Sequence, residues 1–270
     1  MVRVIESVTP FYADGRVTLY HGDALELMPL LAGVEIDAIV TDPPYAVTHL
    51  EWDRWPTGWP TLASRLTEQL WCFGSLRMFL ERASEFTDWR LQQDVVWEKH
   101  NGSNSAADRF RRVHELAGHF VRGSWSELYK SPQFTPDATP KQVRRKTRPT
   151  QWGNLGGSSY TSTDGGPKHQ RSVIRAKSCH GYATNETQKP EAIVTPLVAF
   201  SVPPGGLVVD PFAGSGTTLA VARQTGRRAI GIELRRDQCE DTARRLIQLD
   251  LGLTAPGERP DRAPRKRGVA

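Results

Sequence analysis

The feature that most constrains this chain is an alternation of strand-length apolar runs with segments of helical spacing, seen near the N-terminus and again towards the C-terminus. Val17 to Tyr20 reads as a strand, His21-Gly22-Asp23 as a turn, Ala24 to Leu31 as a short helix and Ile36 to Val40 as a second strand. Apolar residues recur at helical intervals from Leu62 to Leu70, and Asp94 to Trp97 reads as a buried strand. The pattern returns with a strand at Gly206 to Asp210, a helix at Thr217 to Gln224, a strand at Ala229 to Ile232 and a helix at Arg236 to Leu249. Strands that alternate with helices pair in parallel, because each helix carries the chain back across a sheet face. The expectation is an α/β fold: a doubly wound, mostly parallel seven-stranded sheet with helices on both faces and a ligand site at the carboxyl ends of the strands.

The alternation stops between residues 124 and 185, where Pro, Gly, Ser, Thr and basic residues dominate. The expected organisation is therefore 1–123 and 186–253 as two parts of one domain, 124–185 as a smaller irregular region, and 254–270 as a disordered basic tail. Lys plus Arg outnumber Asp plus Glu by 35 to 30 and the pI is about 9.2. Much of the excess falls in the irregular interval, at Lys141, Arg144, Arg145, Lys146, Arg148, Lys168, Arg171, Arg175 and Lys177, which suits a polyanionic partner. No apolar run is long enough to cross a bilayer and the N-terminus lacks an apolar leader, so a soluble, cytoplasmic protein without membrane association is expected. Cys72, Cys179 and Cys239 are too scattered for a disulfide framework or a metal knuckle; they read as reduced thiols, and no metal site is expected.

Asp210-Pro211-Phe212-Ala213-Gly214-Ser215-Gly216-Thr217-Thr218 leaves a strand and opens a helix, and its glycines let a ligand approach the backbone closely. No Lys follows the second Gly, so it is not a Walker A loop, and the full GxGxxG spacing is missing. Glu233 follows Asp210 by 23 residues, at the end of the next strand. An acidic residue that binds ribose hydroxyls is expected at a spacing of roughly 20. Alone the turn also admits a reading as a tight strand-to-helix connection; with Glu233 it reads as a nucleoside-binding pair.

This block resembles the S-adenosylmethionine-binding motif of amino-group DNA methyltransferases. Thr187-Gln188-Lys189-Pro190 is similar to the end of that family's H-P-T-Q-K-P segment, with Asn185 and Glu186 in place of His-Pro. The resemblance implies S-adenosylmethionine as cofactor. It assigns Phe212, Gly214, Gly216 and Thr218, together with Thr187, Gln188 and Lys189, to its methionine side, Ala213, Ser215, Thr217, Asp210 and Glu233 to the same site, and Asp23 to its adenine.

In the same family Asp42-Pro43-Pro44-Tyr45, which follows the Ile36 to Val40 strand, is the catalytic segment. The chemistry is intelligible. The lone pair of adenine N6 or cytosine N4 is delocalised into the ring, and acceptors fixed on its N–H groups localise it. Asp42 can accept one N–H through its carboxylate and Pro43 the other through its carbonyl. Pro43 and Pro44 stiffen the loop, and Tyr45 offers a ring for stacking a base taken out of the duplex. The segment precedes the glycine turn, the order of the circularly permuted β class, so the resemblance implies the Rossmann-like methyltransferase fold with 124–185 as target-recognition region. Arg144, Arg145, Lys146, Arg148, Lys168 and Arg171 are its candidate contacts to double-stranded DNA, and Trp152 or Tyr160 candidates for stacking. The expected activity is site-specific methylation of adenine N6, with N4-cytosine methylation as runner-up, and with a homodimer and a restriction nuclease as candidate partners. C5-cytosine chemistry needs a Pro-Cys pair and zinc deamination a P-C-x-x-C set, and both strings are missing. A non-catalytic DNA-binding protein on the same fold and a nicotinamide-dependent oxidoreductase stay open as other classes.

Overall fold

The computed structural model describes residues 5, 7–46, 52–100, 108–147, 156–179 and 188–250; of residues 145–147, 156–158 and 250 the backbone alone is described. Thr187, Arg148, Trp152 and the basic tail lie outside the described residues. The chain forms two compact units, Met1–Lys130 with Val173–Ala270, and Ser131–Ser172.

The larger unit begins with β1 (Tyr12–Ala13), β2 (Val17–His21), β3 (Ala38–Thr41), β4 (Gln69–Gly74), β5 (Arg90–Lys99) and β6 (His114–Val121). The smaller unit contains two antiparallel ribbons, β7 (Phe134–Thr135) with β10 (Lys168–His169) and β8 (Lys141–Thr147) with β9 (Gly156–Ser162). The larger unit resumes with β11 (Val173–Ala176), β12 (Leu207–Asp210) and β13 (Arg228–Glu233). Its helices are α1 (Ala24–Leu27), α2 (Trp59–Ser64), α3 (Leu76–Glu81), α4 (Glu191–Ser201), α5 (Thr217–Gln224) and α6 (Arg236–Asp250).

One nine-stranded sheet runs in the order β1-β2-β13-β12-β3-β4-β6-β5-β11. The run from β2 to β4 is parallel, as is the pair β5 and β11, while β1 on β2 and both flanks of β6 are antiparallel. Nine strands replace the expected seven because two short ones extend the edges: the two-residue β1, and the four-residue β11 drawn from the interval read as irregular. That interval also holds the ribbons β7 to β10. Their polar residues carry no alternating apolar signal from which a strand can be read.

Alternation along the strands divides the core in two. Val208 packs with Val17, Leu19 and residues of α4 to α6, whereas its neighbours Leu207 and Val209 pack with Tyr20, Ile39 and the apolar residues of α1 to α3. Strands covered on both faces read as continuous apolar runs. This is why Leu62 to Leu70 misleads: α2 ends at Ser64, and Gln69 and Leu70 already belong to β4, where every residue is buried. Phe73 and Gly74 end this strand, and Ser75 caps α3 by accepting from the Met78 N–H at 3.0 Å.

Candidate active site

The Asp42 loop and the glycine turn are 169 residues apart in sequence between Thr41 and Asp210, yet β3 and β12 are hydrogen-bonded parallel neighbours and deliver both to one edge of the sheet. Thr41 Oγ1 donates to Asp210 Oδ1 at 2.7 Å and ties the two strand tips together. β12 leads through α5 to one side of the sheet and β3 leads to the other, so the loops flank the crevice where the winding reverses. A cavity of about 440 Å³ opens there, lined by Asp23, Asp42, Pro44, Phe73, Gln188, Lys189, Phe212, Gly214, Thr218 and Glu233 among others.

The glycine turn is held by its neighbours. Gly214 has φ 48° and Gly216 φ 70°, left-handed values that side chains resist. Gly214 N–H donates to Glu233 Oε2 and Arg235 N–H to Glu233 Oε1, both at 2.8 Å, so the Glu233 carboxylate organises the turn from the tip of β13. Each of its oxygens keeps a lone pair for a further donor. Burial raises the Glu233 carboxyl above its usual value despite these N–H groups. Gly216 faces away from the cavity: a Cβ there would lie 2.4 Å from Thr242 Cγ2 on α6. Its contribution is packing, while Asp210, Phe212, Ala213, Gly214, Ser215, Thr217 and Thr218 line the cavity. Asp210 is buried, and burial pushes its carboxyl up to about 6 against the hydrogen bonds from Thr41, Thr218 and the Phe212 N–H, with the Asp42 charge adding to the rise. Asp23 caps α1, its Oδ1 accepting from the Leu25 N–H at 2.8 Å, and also lines the cavity.

On the other wall, Asp42 and Pro44 reach the cavity, while Pro43 is buried and Tyr45 stands off it. Tyr45, the candidate for stacking a base, is half-buried, and its hydroxyl donates to Asp42 Oδ1 at 2.5 Å. Burial, with the charges of Asp42 and Glu115, lifts that phenol well above its ordinary value, so it stays a donor. Asp42 Oδ2 accepts from the Lys189 ammonium, which also sits 3.3 Å from Glu115 Oε2. Glu115 in turn pairs with Lys99. Burial raises the Asp42 carboxyl, with Lys189 pulling the other way and Glu115 adding to the rise. Although burial opposes its charge, the carboxylates of Asp42 and Glu115 hold Lys189 up at about 12; the two lysines hold Glu115 down at about 2 against the same effect.

Several residues that shape the site carry no sequence signal for it. Ala46, directly after Tyr45, takes φ 57°, a left-handed conformation that costs a non-glycine residue about 1–2 kcal/mol. The buried Asp53 holds it, accepting the Ala46 N–H at 2.8 Å. Glu85 fixes the next stretch of wall by accepting from Trp55 Nε1 at 2.6 Å and Gly58 N–H at 2.8 Å. Arg245 of α6 donates to Ser215 O at 3.1 Å and Thr217 Oγ1 at 3.2 Å while pairing with Glu191. Thr217 Oγ1 donates to the Lys189 carbonyl at 3.2 Å, linking the two walls.

In the smaller unit Arg144, Lys168 and Arg171 are exposed, Lys168 lying 3.3 Å from Asp137 Oδ2. Tyr160 is about half exposed, and Arg145 and Lys146 belong to the backbone of β8.

A doubly wound sheet with a glycine turn and an Asp-Pro-Pro-Tyr loop on adjacent strand tips defines the Rossmann-like methyltransferase architecture. The DNA methylase model of N6/N4 methyltransferases matches residues 36–244, and the chain belongs to that family. It is similar to the type II methyltransferase M.HinfI of Haemophilus influenzae, 26% identical over 92% of this chain and 75% of the relative. M.ScaI of Streptomyces caespitosus is 27% identical over 88% and 83%. Among solved structures, the M1.HpyAVI–SAM complex aligns with TM-score 0.60 and 20% identity over 85% of this chain and 99% of that one. The cytosine-N4-specific PvuII DNA methyltransferase aligns with TM-score 0.60 and 15% identity over 87% and 88%. Among the described residues no helix is long and apolar enough to cross a membrane.

Proposed function

We propose that the chain is a site-specific DNA methyltransferase that moves a methyl group from S-adenosylmethionine to adenine N6 of a base flipped out of double-stranded DNA. The observation that carries the reading is the single cavity shared by the Asp42 loop and the Glu233-braced glycine turn. Its residues fit the cofactor. Glu233 has lone pairs left for ribose hydroxyls, Asp23 stands near α1 to meet an adenine amine, and Phe212 and Phe73 give the cavity apolar wall. The open backbone of Gly214 lets a ligand lie against the turn.

When bound, S-adenosylmethionine supplies an electrophilic methyl on a sulfonium whose sulfur departs neutral. The chain's own work is to orient the amine. Asp42 accepts one N–H of the target, and Pro43 offers its carbonyl to the other, so the nitrogen lone pair is localised and aimed. The Asp42 carboxylate also stands ready for the proton that the methylated amine sheds. Residues 124–185, with Arg144, Arg145, Lys146, Arg148, Lys168 and Arg171, are the proposed DNA-reading region; phosphate contacts there would position the duplex. The Asp-Pro-Pro-Tyr string favours adenine.

The test is to incubate the protein with S-adenosylmethionine and mixed-sequence double-stranded DNA, digest to nucleosides and resolve them by mass spectrometry. N6-methyladenine is expected, and Asp42→Ala should abolish it while still binding S-adenosylhomocysteine. N4-methylcytosine would move the reading to the other amine. No methylated nucleoside, with cofactor binding intact, would overturn it.

A further inference from the structure

Asp42, Lys189, Glu115 and Lys99 form a chain of alternating charge that starts at the cavity and is most deeply buried at Lys189. The resemblance gives Lys189 to the cofactor, but its ammonium is turned to protein carboxylates. It contacts Asp42 Oδ2, lies 3.3 Å from Glu115 Oε2, and sits 5.4 Å above the Phe73 ring and 5.9 Å from the centre of Tyr45. Its side chain is only 8% exposed. We propose that Lys189, anchored by Glu115, holds the Asp42 carboxylate in its acceptor geometry, making both of them positioning residues for methyl transfer; this rests on the reading of Asp42 as acceptor of the target amine.

The argument is one of desolvation and direction. A carboxylate taken out of water drifts towards the neutral acid unless a counter-charge accompanies it. A neutral acid would turn a hydrogen towards the amine in place of a lone pair. Lys189 supplies the counter-charge, and Glu115 with Lys99 keeps the interior neutral in sum. The Tyr45 hydroxyl on Oδ1 and the ammonium on Oδ2 together fix the carboxylate plane, so the lone pairs they leave unused are the ones Asp42 offers to the cavity it lines. Lys189 is itself held at the backbone, where its carbonyl accepts from Thr217 Oγ1 of the glycine turn. The titratable groups around Asp42 are thus Tyr45 on its own loop, Lys189 before α4, Glu115 on β6, Cys72 on β4 and Asp210 on β12.

The experiment is a single-turnover rate of label transfer to double-stranded DNA between pH 5 and 9. It compares wild type, Lys189→Met, Lys189→Arg and the double variant Lys189→Met/Glu115→Gln, with S-adenosylhomocysteine affinity measured alongside. Removing the ammonium should move the acid limb of the rate profile up by roughly 1 to 3 pH units, the reach of one neighbouring opposite charge. Lys189→Arg should restore the limb, and cofactor affinity at pH 8 should change little. The double variant should fall between, because Glu115 no longer repels Asp42. Lys189→Met leaves two carboxylates facing each other and can unfold the chain; in that case the double variant, isoelectric with wild type, decides alone, and a limb coinciding with the wild-type limb overturns the proposal. So does an unchanged limb in Lys189→Met with a uniform rate loss or a selective loss of cofactor affinity, which would return Lys189 to the cofactor. Wild-type protein that binds S-adenosylhomocysteine yet methylates no DNA would instead sink the functional reading, and this proposal with it.

Discussion

Asp210 is an acid that folds against its own ionisation. It is 4% exposed and its carboxyl is pushed from 3.8 up to about 6. A group whose folded pKa is raised contributes stability that is complete below the unfolded pKa and is lost as pH rises through the folded one. The window here runs from about pH 4 to about pH 6, and each unit corresponds to about 1.4 kcal/mol, so the loss by pH 8 is about 3 kcal/mol. Asp210→Asn is the perturbation that isolates it. The amide oxygen can still accept from Thr41 Oγ1 and the Phe212 N–H, while the amide nitrogen can donate to Thr218 Oγ1. Urea unfolding of wild type and variant at pH 4, 5, 6.5 and 8 measures the difference. The variant should gain on the wild type by about 2–3 kcal/mol between pH 4 and 8, with most of the gain complete by pH 6.5. A stability difference that is flat across this range would refute the reasoning, because it would mean that Asp210 is no less easily ionised in the folded chain than in the unfolded one.

Glu233→Gln leaves one of the two N–H groups, of Gly214 or Arg235, facing an amide nitrogen, a loss of about 1–3 kcal/mol; calorimetry should record about tenfold weaker S-adenosylhomocysteine binding. Gly216→Ala sets a methyl 2.4 Å from Thr242 Cγ2 at φ 70°, and should cost roughly 1–3 kcal/mol, read as a fall of several degrees in Tm. Arg144→Ala on the exposed face of β8 should lower DNA affinity about equally for all sequences and flatten the salt dependence by about one unit of slope, measured by fluorescence anisotropy across a salt series.

The parts of the site legible in the sequence are those written in consecutive residues. Asp42 to Tyr45 and Asp210 to Thr218 each form a single turn leaving the end of a strand, so their chemistry and their local structure are spelled together. Glu233 is legible through its spacing. The residues that stay hidden come singly from remote elements. Glu115 is the second residue of β6, and Asp53, Glu85 and Arg245 are charges whose partners are set by tertiary packing. Glu115 has one weak sign, an acidic residue leading into the run Leu116 to Val121. Tyr45 has a further tie that its aromatic type does not announce: its position three residues after Asp42 brings its hydroxyl to that carboxylate. The fold is legible where helix and strand periods differ, and misleading at Leu62 to Leu70, where a strand buried on both faces comes after a short helix.

The strand order carries a consequence for how such a chain comes into being. β12 and β13 lie between β2 and β3, so two interior strands of the sheet are the last of its strands to be synthesised. A ribosome-bound chain that has emerged only as far as α4 holds β2 without its neighbour β13 and β3 without its neighbour β12, so two apolar edges are unpaired. Its sheet cannot close by growth from one side; the late strands have to insert as a wedge, which makes folding a largely post-translational event governed by contacts across most of the sequence.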